Sequence, residues 1–410
     1  MESVTIVRFV TGSKTNEGEK MSTQCHTDAM ELLRGYLYQV VERSGSDLYV
    51  KSDANVRARV DGVINVLTEE LFSAACMDDV ARELIGKRYE EFVETGEFDT
   101  VYMLDNHNRF RINLYKHLDG VAVVCRLIPH VIRDFETLNL PPEMNKLVNL
   151  NRGLVLVTGT TGSGKSTTLA AVIEKINQNH RRHVVTIEDP VEYTHTDKLS
   201  IIEQRGIGQH TLTFANALRA AMRESPDIIV VGEMRDVETA EAVLQAVNTG
   251  HLVFSTLHTL DARETIDRLI AIFPEMEQNR VRMNLASNLQ AVVSQRLIKG
   301  KRGGLLPAVE IMFKSPRTEH LIRSMRDNEL PDAMEAERHI FGSVTFNTAL
   351  FELCLADKIT EAEAYNYATS ASDLKLMFTK SPEYNDKLMR EGIVEIDEVN
   401  LKDEGDNGAH

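Results

Sequence analysis

The second half of the chain carries four apolar-rich runs: Leu154–Val157, Val184–Ile187, Ile228–Val231 and Leu252–Phe254. Each is too short for a helix, rich in Val, Ile and Leu, and followed by a polar or acidic residue. Such runs read as strands buried on both faces. Helical patterns separate them, which predicts a parallel sheet with helices on both sides. The first part follows a different rhythm. Over Asp28–Gly45, apolar Met30, Leu33, Leu37, Val40 and Val41 recur at helical spacing, and Gly45 ends the pattern. Two stretches then alternate in period two around a turn signal: "VRARVDGVINV" with Asp61-Gly62, and "RFRINLYKHLDGVAVVCRLI" with Asp119-Gly120. Both predict antiparallel hairpins.

These changes of rhythm divide the chain. Residues 1–27 include the polar "TGSKTNEGEK" and read as a flexible segment, with Met21 an alternative start; 28–130 read as an α+β domain. Residues 131–142, bracketed by Pro129, Pro141 and Pro142, read as a linker. An α/β core follows over 143–275. Beyond it the strands are expected to stop: Met276–Ile298 reads as one long amphipathic helix opening a helical region over 276–378, and 379–410 as an acidic flexible tail.

Composition narrows the function. With 410 residues the chain is long enough for two or three domains. A net charge of −16 argues against a nucleic-acid partner. The cysteines, at 25, 76, 125 and 354, form no close pair, so they read as reduced thiols and not as a zinc site or disulfide frame. No apolar run approaches the roughly 18 residues of a membrane span, and no signal-peptide layout opens the chain. The expectation is a cytoplasmic protein without direct membrane insertion, meeting any membrane through a partner.

The chemistry starts after the first buried run. Gly159, Thr160, Thr161, Gly162, Ser163, Gly164, Lys165, Ser166 and Thr167 spell G-x-x-x-x-G-K-[ST] between a strand and a helix. Glycines let the backbone N–H groups converge on phosphates, Lys165 brings a point charge, and Ser166 offers a hydroxyl to Mg²⁺. This is a nucleoside-triphosphate site. Glu188 and Glu233 end two strands expected at the same sheet edge. One carboxylate suits the metal or its hydration shell, the other an attacking water. His251 and His258 flank the last strand. Either they donate to phosphate or carboxylate, or His251 closes the preceding helix and His258 merely ends a strand. Arg109, Arg111 and Arg126 on the second hairpin, and Arg219, Arg223 and Arg235 around Glu233, are candidates for a guanidinium on the transferring phosphoryl group; surface ion pairing is the bland alternative for each.

"GTTGSGKST", "TIEDPVEY", "LRAAMRESPDIIVVGEMRDVETA" and "TGHLVFSTLHT" together resemble the secretion-type ATPases of type IV pilus and type II secretion systems. Within them the chain looks most like the pilus retraction ATPases. "SGSDLYV" and "VRARVDGVI" look like their PAS-like N-terminal domain. The resemblance implies an α/β fold, with a PAS-like α+β domain followed by a RecA-like P-loop ATPase domain and a helical C-terminal part. It implies ATP and Mg²⁺ as cofactors, Glu188 in the acidic box, Glu233 as the Walker B glutamate (with Ser166, the metal residue), and His251 and His258 as the His box. Arg111 and Arg126 match N-domain arginines that reach a neighbouring subunit's nucleotide. The implied assembly is a homohexamer acting on an inner-membrane platform protein of a pilus, with a second retraction ATPase or a type IV secretion role as alternatives. The resemblance to retraction motors carries the expectation of neither the long N-terminal extension nor the tetracysteine zinc insert of assembly motors. One stretch departs from the PilT-type pattern: A-I-R-N-L-I reads "RTEHLI" here, Arg317–Ile322, and the closing segments look closer to PilU-type motors.

Overall fold

The computed structural model describes residues 29–390 apart from 61, 106–107 and 129–130. The expected flexible segment over 1–27, with Met21 and Cys25, lies outside the described residues, as do Asp61, Pro129 and the end beyond 390. Two compact units meet in sequence at residue 130.

The first unit is a six-stranded antiparallel sheet: β1 (Asp47–Lys51), β2 (Asn55–Val60), β3 (Val63–Leu71), β4 (Glu97–Met103), β5 (Arg109–His117) and β6 (Gly120–Ile128), in the order β3-β2-β1-β6-β5-β4. The helix Ala29–Glu42 buries Met30, Leu33, Leu37 and Val40, the predicted stripe. In the second hairpin His117 pairs with Gly120, so Leu118 and Asp119 form the turn, one residue earlier than the Asp119-Gly120 expectation. The buried pairs Leu114–Val123 and Ile112–Cys125 fix the register, because a slip by one would turn them to the other face.

The second unit holds β7 (Gly153–Thr158), β8 (His183–Glu188), β9 (Ile201–Gly206), β10 (Ile228–Val231), β11 (Leu252–Leu257), β12 (Leu289–Lys299) and β13 (Leu305–Phe313), in the order β13-β12-β7-β11-β10-β8-β9. All neighbours run parallel except β13, which returns antiparallel to β12. β7, β10 and β11 are buried throughout, as continuous apolar runs require. Residues 131–142, expected as a linker, send Phe135 and Leu140 into the core beneath β7.

Three expectations need correction. The long helix over Met276–Ile298 ends at Asn288, and Leu289 turns extended into β12. β12 lies between β7 and β13 with both faces covered, so its apolar run carries no period that separates it from a buried helix. The strands therefore do not stop at 275; helices take over only from Pro316. The tail begins later than expected, since Pro382–Arg390 is helical and Tyr384 packs on Phe378 with ring centroids 4.6 Å apart. The strands flanking β7 are β11 and β12, and the strand ending in Glu188 lies three positions away.

Candidate active site

β7 delivers the chain to the loop Gly159–Gly164, and the helix Lys165–Asn179 begins at the phosphate lysine. Gly159 has φ +144°, and a Cβ there would lie 2.4 Å from Ser163 Oγ and 2.5 Å from the Gln295 carbonyl. At Gly164, with φ +90°, a Cβ would lie 2.8 Å from Gln295 Nε2. Only glycine fits either position. Gln295, from β12, holds the loop from beneath, its Oε1 accepting from Thr168 Oγ1 at 2.7 Å. Thr160, Thr161 and Gly162 are exposed, Ser166 and Thr167 half-buried. Ser163 Oγ is buried without a hydrogen-bond partner among the described residues, an orphaned polar group inside a phosphate cradle.

Lys165 Nζ donates to the carbonyls of Gly159 at 2.8 Å and Thr160 at 3.0 Å. Burial lowers its pKa, opposed by the charges of Glu233 and Glu192. His258 stands 3.5 Å from Lys165 through Nδ1 and 3.3 Å from Glu233 Oε1 through Nε2. An ammonium has only protons to give, so Nδ1 accepts and Nε2–H donates to Glu233. Burial would raise the Glu233 carboxyl, but its hydrogen bond to Arg235 at 2.7 Å, the Arg235 and Lys165 charges and the neighbouring His258 outweigh this and hold it below the usual range.

The parallel register explains the convergence. Val231 pairs with Ile187 and with Ser255, and Thr158 with Leu257, so Lys165, Glu188, Glu233 and His258 all follow one sheet edge. Glu188 stands apart from the other three. Its Oε1 accepts from Thr186 Oγ1 at 2.7 Å and Gln204 Nε2 at 3.3 Å, and its Oε2 accepts from the Glu192 N–H at 3.4 Å. Burial pushes its pKa up despite these bonds. The two carboxylates are thus driven in opposite directions, the arrangement that divides acid–base work between two groups.

His251 does not join them. It precedes β11, at the N-terminal edge of the sheet, a strand length of about 20 Å from His258. Its Nδ1 lies 2.9 Å from the Ala246 carbonyl and 3.0 Å from Thr249 Oγ1, closing the end of the helix Val237–Asn248. The reason is the parallel strand itself, which sends its two ends to opposite edges.

Arg111 and Arg126 sit opposite each other on β5 and β6. Asp47 pairs in register with both Arg59 and Arg126, making one row across four strands. Arg126 Nε donates to Asp47 Oδ1 at 2.8 Å, Arg59 Nε lies 3.4 Å from Oδ2, and Arg111 approaches Asp99 only to 3.9 Å. Arg126 keeps 69% of its side-chain surface exposed while Asp47 is buried. Of the arginines near Glu233, Arg235 alone bonds it; Arg219 pairs with Glu238.

A family model described as type II/IV secretion system protein matches residues 25–303, more than half of the chain. The chain belongs to the type II/IV secretion system protein family. The family includes relatives close enough for direct comparison. The type IV pilus retraction ATPase PilT of Pseudomonas aeruginosa is 40% identical over 318 residues, 77% of this chain and 90% of that one. The type IV pilus ATPase PilU of the same organism is 35% identical over 340 residues, 82% of this chain and 89% of that one. A crystal structure of the pilus retraction motor PilT with bound ADP superposes with a TM-score of 0.78 at 37% identity, covering 84% of this chain and 99% of that one. The secretion-ATPase fold, expected as PAS-like and RecA-like parts with a helical end, is therefore shown, and with it ATP-hydrolase chemistry.

Reading the sequence missed three residues of this site. Gln295 falls within the stretch whose pattern reads as helix, and nothing in the sequence marks it. Tyr193, whose hydroxyl lies 2.8 Å from Thr167 Oγ1, and Glu192 stand within "TIEDPVEY". A second carboxylate four residues after Glu188 was the available signal.

Proposed function

We propose that this chain is a Mg²⁺-dependent ATPase that works as a homohexameric ring and powers type IV pilus retraction, and so twitching motility, from the cytoplasmic side of the inner membrane. The observation that carries the reading is His258 bridging Lys165 and Glu233 at the end of a P-loop sheet. Backbone N–H groups of Gly159–Gly164 and the Lys165 ammonium hold the β- and γ-phosphates, with the Ser163 hydroxyl as a further donor. Ser166 and Glu233 would hold Mg²⁺, directly or through water: a hydroxyl and a carboxylate kept ionised are oxygen donors suited to a hard cation. The bound cation supplies neutralisation of charge on the phosphate oxygens. Glu188, whose buried carboxyl holds a proton more tightly than usual, accepts the proton of the attacking water. Arg111 and Arg126 complete the site of the neighbouring subunit, where a guanidinium stabilises the transferring phosphoryl group. The ring's stroke passes to a platform protein in the inner membrane.

A second reading, an accessory motor of the PilU kind that works beside another retraction ATPase, is favoured by one observation. In the helix Pro316–Arg323, Leu321 and Ile322, which keep the PilT-type pattern, are buried, whereas the departing Arg317 and His320 are exposed. Of the other two departures Glu319 is half-buried and Thr318 is buried in the capping box with Ser315, so most of the difference, though not all, lies open to a partner. Expression in a non-twitching strain that lacks its own retraction ATPases tests both readings. Wild type restores twitching and Lys165→Ala does not if the chain is a sufficient motor; restoration only alongside a second retraction ATPase supports the accessory role. Motility restored by Lys165→Ala would contradict both.

A further inference from the structure

The segment that follows His258 is pinned on three sides by groups with no part in phosphate binding. Thr259 is buried, and its hydroxyl lies 2.7 Å from that of Thr265. Thr265 spends its single proton on the Asp261 carbonyl at 2.6 Å, so Thr259 donates to it. Thr265 Oγ1 also lies 3.5 Å from Thr158 Oγ1, which donates to Ser294 Oγ at 2.9 Å. All four side chains are buried, and they connect the residue before Gly159 with the residue after His258. At the far end of the segment, Glu310 Oε1 accepts from the Ala262 N–H at 2.9 Å. Arg296 Nη2 reaches the Leu260 carbonyl at 3.5 Å.

Glu310 and Arg296 each have a second attachment. Glu310 Oε2 accepts from the Phe346 N–H at 3.3 Å, the first residue of the helix Phe346–Leu355. The Arg296 guanidinium stacks 3.9 Å from the centre of the Phe346 ring, and its Nη1 donates to the Tyr367 carbonyl at 2.5 Å. Ser294 pairs with Glu310 and Arg296 with Ala308, so Arg296 and Glu310 share one face of the β12–β13 hairpin. Each residue spans from the His258 segment to the C-terminal helices.

We propose that Glu310 and Arg296 are positioning residues for His258, and that through them the helices Phe346–Leu355 and Glu361–Tyr367 set how His258 stands between Lys165 and Glu233. The inference rests on the reading of His258 as part of the hydrolytic site. Packing alone would make both residues matter for stability. Positioning makes them matter for turnover only while His258 is present. Full-length protein is therefore tested in a double-mutant cycle on kcat, with ADP affinity measured alongside. We expect Glu310→Gln to lower kcat about tenfold with ADP affinity unchanged, and to lower it less than about twofold further in a His258→Ala background. Arg296→Lys, which keeps the charge and loses the fork, goes through the same cycle, so that failure of one variant to fold leaves the other to decide. Equal losses with and without His258 would overturn the proposal. Should His258→Ala alone turn over like wild type, the reading of the site fails first and the proposal with it.

Discussion

At the scale of single residues, the site joins one lysine, one imidazole and two carboxylates whose environments differ. Lys165 is buried for the sake of its charge: its ammonium caps two loop carbonyls. Lys165→Ala is expected to leave circular dichroism unchanged and abolish hydrolysis; a lost helical signal would make the lysine structural. The carboxylates separate in a second test. Glu188→Gln removes the proposed proton acceptor and is expected to cut turnover by about two orders of magnitude or more while the Mg²⁺ titration stays at wild type. Glu233→Gln is expected to slow turnover and shift that titration to higher Mg²⁺. Identical titrations for both variants would contradict the division of labour. Lys165, Glu188 and Glu233 were legible in the sequence because each follows a buried run at a fixed offset. For His251 two readings stood open, because a flanking position in sequence says nothing about which end of a strand faces the ligand; the structure bears out the one in which it closes the preceding helix.

At the scale of elements, what stayed illegible has one cause. β12 and β13 are covered on both faces, and such strands lose the alternation that distinguishes them from helices. With β12 went Gln295, and with the β12–β13 hairpin went Arg296 and Glu310. The antiparallel hairpins of the first unit were legible because one face is buried and the other wet, down to a turn misplaced by one residue. Two predictions belong here. Gln295→Leu strands the Thr168 hydroxyl and removes the support beneath Gly164, so nucleotide affinity should fall and stability drop by about 1–3 kcal/mol. Unchanged ADP binding would show that the loop holds itself. Burial, reinforced by the Asp261 charge and opposed by the Ala262 N–H and Arg296, pushes the Glu310 carboxyl up to about 7. The folded state therefore binds its proton more tightly than the unfolded chain does. Its favourable share of stability is complete below the ordinary carboxylate range and is lost as pH rises through about 7. Melting temperatures of Glu310→Gln should accordingly gain on wild type between pH 5 and 8; parallel curves would refute the shift.

At the scale of the whole molecule, a subunit holds its phosphate machinery in the second unit and its exposed arginine row in the first. Among the described residues no helix is long and apolar enough to cross a membrane. The family's architecture was legible from four motifs in order, because each marks the end of a strand in the same sheet; whether subunits complete one another's sites, as proposed, is not written in any one of them. If Arg111 and Arg126 act on the neighbour's nucleotide, an isolated subunit binds ATP but lacks the guanidinium, whose contribution in comparable phosphoryl transfers is about 10³–10⁵ in rate. The steady-state rate of ATP hydrolysis per subunit, followed across protein concentrations that span ring assembly by light scattering, tests this account most directly. It predicts a steep rise as rings form, with Arg126→Ala inactive where it is still a ring. A rate per subunit independent of concentration, or no hydrolysis even by assembled wild-type rings, would contradict it.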